Sequence, residues 1–237
     1  MIRWVFLFVL ATAGHAQDLT APKHVDAAHT LVASLDASRT QYRHGEQVVL
    51  WKENDRPAEA RCDCSGLLNA LLTRAYEYGE QDYRKWFGAK RPLAAHYHDA
   101  IAKEIGFTRV REVESIHPGD ILAVKYEQLA ADKSTGHVML VIESPKPMTA
   151  KKPLVDGTDQ WRVTIIDSTK SPHGKGDSRV SDDGTKRDGV GRSDFRLYAD
   201  TRGDVIGYAW STSTGSTFRE RATHSIVVGR LIAGFKP

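Results

Sequence analysis

The apolar residues of this 237-residue chain change period near Phe107, and that change limits the fold more than any single motif. Before it they recur at helical spacing. Val25, Ala28, Leu31, Val32 and Leu35 predict a helix over 20–37, and Leu68, Leu71, Leu72 and Ala75 predict a second, running to about Tyr78 and ended by Gly79. A third is expected over 93–105. From Phe107 onward the apolar runs are short: 107–113, 121–126, 137–142, 163–167, 195–198, 205–211 and 225–232 all read as strands. Helices first and strands afterwards predict an α+β fold on a mainly antiparallel sheet. Residues 47–51 add a short strand or turn, and residues 52–61 read as a polar loop. Residues 171–192, rich in Gly, Ser, Asp and Lys, read as a long mobile loop.

The first sixteen residues are expected to lie outside that fold. A positive start (Arg3), a ten-residue apolar run (Trp4 to Ala13) and the small residues Gly14 and Ala16 follow the order of a secretory signal. The run is about half the length of a spanning helix. Cleavage after Ala16 would leave one domain over 17–237, exported to the periplasm or the exterior. The whole chain carries a net charge of +3, and loss of Arg3 lowers it by one. A balance so close to neutral gives no electrostatic case for nucleic acid.

Exported proteins usually spend cysteines on disulfides, but Cys62 and Cys64 are separated by one residue. A bridge between them would close a strained ring and constrain almost none of the chain. Asp63 can cap the helix that Cys64 begins, which puts this thiol among unpaired amides at the positive end of the helix and favours thiolate. A thiolate needs a base, and the base needs a group to orient it. His137 starts one strand and Asp167 ends another. If the two are antiparallel neighbours, both residues come to the same edge and the same face of the sheet. Cys64, His137 and Asp167 are therefore the expected catalytic set, with no cofactor and no metal.

Asp63-Cys64-Ser65-Gly66-Leu67 resembles the nucleophile motif of the NlpC-type cell-wall cysteine peptidases. Pro118-Gly119-Asp120-Ile121 and Gly136-His137-Val138 are similar to that family's sheet-entry turn and histidine strand, in the same order. The resemblance spans about residues 51–168. It implies a papain-like fold, with the nucleophile helix packed on the sheet. It also implies hydrolysis of an amide bond in peptidoglycan stem peptides through a thioester. Trp51 stands where the family has a tyrosine, and the family's third residue is often a second histidine. Asp167 matches that position, with His173 as its rival. The 30-residue separation from His137 to Asp167 implies an insertion between Glu143 and Trp161.

Other signals point elsewhere. His96 and His98 lie on different faces of a helix and cannot chelate together. Gly189-Val190-Gly191 lacks the strand and helix of a dinucleotide loop. Lys170, Lys175, Arg179, Lys186 and Arg187 read as a solvated loop or an anion site. Two other functions fit the same residues: cysteine amidase or acyltransferase chemistry on another substrate, and a non-catalytic wall-binding module.

Overall fold

The computed structural model describes residues 21–128 and 134–237; the expected leader lies outside them. Four helices come first in the described chain: α1 (Lys23–Ser34), α2 (Cys64–Tyr76), α3 (Glu80–Phe87) and α4 (Ala94–Ala102). Between α1 and α2 run β1 (Thr40–Tyr42), β2 (Val48–Leu50) and β3 (Glu59–Cys62), which form a small sheet in the order β1-β3-β2. Then come β4 (Phe107–Val110), β5 (Ile121–Tyr126), β6 (Gly136–Met148), β7 (Thr158–Thr169), β8 (Gly189–Asp200), β9 (Val205–Ala209), β10 (Arg219–Glu220) and β11 (His224–Leu231). These build an eight-stranded sheet in the order β10-β9-β8-β7-β6-β5-β11-β4, every pair antiparallel. The expected α+β class with a mainly antiparallel sheet is what the chain adopts.

Alternation along the strands sorts their side chains onto two faces. Ile121, Ala123, Val138 and Val227 pack under Leu68 and Leu72 of α2 and Ala100 and Ile101 of α4. Leu140, Ile142 and Ile166 meet Leu67 and Leu71 of α2 and Val25, Ala28 and Leu31 of α1. Helix α2 thus lies across the sheet centre with both its apolar rows buried. On the opposite face Leu122, Met139, Val141, Val163, Ile165, Phe195 and Leu197 form a third core. The sheet curls round it: Val113 N donates to Gly203 O at 2.9 Å and Val205 N to Arg111 O at 3.1 Å, tying the region after β4 to the start of β9. Each fully buried Leu or Ile contributes about 1.5–3 kcal/mol over its exposed state.

Several local expectations need correction. Helix α2 ends at Tyr76 because Glu77 adopts a left-handed conformation (φ 62°). Gly79 instead precedes α3, which was not anticipated: its eight residues include few apolar ones, of which Tyr83 and Trp86 are buried. The polar stretch before Cys64 contains β3, which pairs with both β1 and β2. About half of the insertion after Glu143 is strand, since β6 and β7 extend past their apolar centres as a bulged hairpin. Trp51 is buried with α1, its indole N–H donating to Ala27 O at 2.8 Å, so it has a packing role.

Candidate active site

Asp63 fixes where α2 begins. Its Oδ1 accepts from Gly66 N at 2.7 Å and Ser65 Oγ at 2.9 Å, its own N–H donates to Gln47 Oε1 at 2.8 Å, and Arg91 pairs with Oδ2. Cys64 is therefore the first residue of the first turn, where the amides have no intrahelical acceptor. Its side chain is 6% exposed, whereas Cys62, on β3, is fully buried. Neither is in a disulfide. Burial pushes the Cys62 thiol up to about 12, a hydrogen bond with Ser168 only partly opposing it.

Gly136 brings the next group in. Its φ of 148° suits glycine, and a Cβ there would lie 1.9 Å from Val124 O on the neighbouring strand. His137 follows directly and reaches two partners. Its Nε2 lies 2.6 Å from Asp167 Oδ2, and Cys64 is near enough to act on the ring as a neighbouring charge. Burial alone would lower the His137 pKa. The Cys64 charge and the Asp167 hydrogen bond outweigh burial and lift it to about 10. An imidazolium backed by a carboxylate is the charge state these contacts favour for His137.

Asp167 is fully enclosed and serves more than one partner. His173 Nε2 also lies 2.7 Å from Oδ2, and Arg179 Nη1 donates to Oδ1 at 2.9 Å. Burial would raise the carboxyl pKa; the Arg179 charge, then His173 and the histidine hydrogen bonds, hold it well below the usual carboxylate range. Trp210, just after β9, stacks on His173 (ring centroids 5.4 Å apart, 10° between planes) and meets His137 edge-on at 5.3 Å.

The expected Cys64, His137 and Asp167 thus come together, and His173, the rival, joins them on the same carboxylate oxygen. The loop expected to be mobile is packed instead: His173, Asp177 and Arg179 are all buried within it. Arg179 belongs to the buried network and not to a solvated basic stretch, whereas Lys170, Lys175 and Lys186 are exposed. Asp177 and Trp210 were not anticipated as site residues, and Arg179 was expected only in a solvated loop or an anion site. The alternating charges of Asp177-Ser178-Arg179 were the available signal; Trp210 offered none beyond ending an apolar run. His96 accepts from Leu93 N through Nδ1, while His98 bonds Ser225 and Asp99, so the two histidines serve different partners.

His137, Asp167 and His173 also have the composition of a metal-binding set, their ligand atoms lying within 4.8 Å of one another. The geometry fits hydrogen bonding better. Both ring nitrogens point at one oxygen at 2.6 and 2.7 Å, and a cation among them would face the guanidinium on Asp167.

The chain is similar to uncharacterized protein R653 of Acanthamoeba polyphaga mimivirus, 38% identical over 201 residues covering 81% of this chain and 88% of the viral protein. No family model matches the chain, and no solved structure matches it.

Proposed function

This chain belongs to the same family as the mimivirus protein R653, and we propose that it is a cysteine hydrolase of the NlpC type, papain-like in fold, that cleaves amide bonds in peptidoglycan stem peptides. The observation that carries this reading is the placement of Cys64 at the start of α2 beside a histidine, His137, that Asp167 holds at 2.6 Å. In the proposed reaction the Cys64 thiolate attacks the substrate carbonyl, and the free amides of the first turn of α2 receive the developing oxyanion. His137 gives its proton to the departing amine, leaving a thioester. Water then attacks, His137 taking its proton, and the acid and thiolate are released. Asp167 keeps the imidazole oriented throughout.

The substrate class draws support from charge on segments that adjoin the site residues in sequence. A groove of about 1210 Å³ begins at Arg61, just before the nucleophile, and at Ser171 and Pro172, beside His173. It does not include Cys64 or His137. Lys170, Lys186 and Arg187 line it together with Asp188, and Glu59 already pairs with Arg39 and Arg61. Cations here suit the free carboxylates of a stem peptide. Incubation with defined muropeptides, read by mass spectrometry, should give fragments carrying one added water, and Cys64→Ser should abolish them. Cleavage only between sugar and peptide would keep the chemistry and make the enzyme an amidase. Intact muropeptides beside a readily alkylated Cys64 would overturn the substrate assignment.

A further inference from the structure

We infer that Arg179 is the positioning residue of this site: by holding Asp167 through Oδ1 it leaves Oδ2, fixed and negatively charged, to orient His137 and His173 together. The inference rests on the cysteine-hydrolase reading above.

Arg179 is 2% exposed, and its guanidinium is fully engaged. Nη1 donates to Asp167 Oδ1 at 2.9 Å and to Gly189 O at 3.0 Å. Nε and Nη2 fork onto the two oxygens of Asp177, both at 2.8 Å. Asp177 in turn accepts from His173 N at 2.7 Å, so the same cation that fixes Asp167 also fixes the backbone carrying His173. The sheet is shaped to receive it. Asp167 faces Gly191 across the β7–β8 ladder, and a Cβ at Gly191 would lie 2.8 Å from Arg179 Cγ and Nε. The Gly189-Val190-Gly191 stretch thus supplies a carbonyl and the space in which the arginine lies.

The other titratable groups around Asp167 are His137 from β6, Cys64 from α2, Cys62 from β3, and His173 and Asp177 from the loop; β8 presents only Gly191. Arg179 is the one permanent cation among them. A buried carboxylate deprived of it takes up a proton more readily, and a protonated carboxyl can no longer accept from two N–H groups on one fixed oxygen. Removal should therefore disconnect His137 from its support at mildly acidic pH first.

The test needs no substrate: the rate of Cys64 alkylation by iodoacetamide is followed from pH 6 to 8.5 by peptide mass mapping, with Cys62 as internal control. Wild-type Cys64 should react at nearly the same rate across this range, and Cys62 hardly at all. Asp177→Asn with Arg179→Met removes one charge of each sign, so the buried net charge is unchanged. Its rate at pH 6 should fall at least about tenfold relative to pH 8.5, the equivalent of a one-unit shift in a controlling pKa. Gly191→Ala, which crowds Arg179 without removing it, should shift the profile the same way by about threefold, and Arg179→Lys should restore most of the wild-type shape. An unshifted profile in either folded variant, the double one or Gly191→Ala, overturns the assignment to Arg179 alone. A wild-type Cys64 no faster than a free thiol at pH 6 overturns the hydrolase reading itself.

Discussion

His137 is 7% exposed, yet the Cys64 sulfur and the Asp167 carboxylate outweigh its burial and lift its pKa from 6.5 to about 10. A histidine whose folded pKa exceeds its unfolded one stabilises the fold fully below 6.5, and that contribution is lost as pH rises through about 10. Urea unfolding should therefore show stability falling between these values. Cys64→Ala, which removes the sulfur beside the ring, should flatten the fall by at least about 1 kcal/mol. A slope of opposite sign would contradict the imidazolium assignment. At this scale the sequence was legible where chemistry marks a residue by its place in an element: Cys64 behind a capping Asp63, His137 at a strand start, Asp167 at a strand end. Arg179 and Trp210 carry no such mark, because their roles come from what they touch.

Element by element, the apolar cores of helices and strands were readable and their margins were not. The expected strand over 137–142 extends to Met148, and that over 163–167 extends back to Thr158 and on to Thr169. The added residues are mostly polar or proline and are held by the ladder, which periodicity does not register. The packing of α4 on β11 is equally invisible in sequence but can be tested. Gly229 lies under Ile101, and an added Cβ would sit 2.5 Å from Ile101 Cγ1, a fully buried atom group with nowhere to move. Replacing a strand glycine ordinarily gains stability. Here Gly229→Ala should cost about 1–3 kcal/mol by overpacking, read as a lower urea midpoint at unchanged slope.

Across the whole molecule, no helix among the described residues is long and apolar enough to cross a membrane. The leader expected at residues 1–16 makes its own prediction: the protein recovered from the producing cell should begin at Gln17 by N-terminal mass analysis. An intact Met1 in membrane fractions would indicate an anchor instead. The sequence by itself determined the fold class, the start of α2 at Cys64 and the pairing of His137 with Asp167, because periodicity, capping and antiparallel alternation all act over a few residues. Only the tertiary structure decided what encloses that pair. His173, Asp177 and Arg179 come from a segment whose composition reads as solvated loop, and Trp210 comes from the end of β9, two strands away from Asp167. A buried carboxylate demands charge and hydrogen-bond partners wherever the fold can bring them, and sequence distance does not tell which residues will arrive.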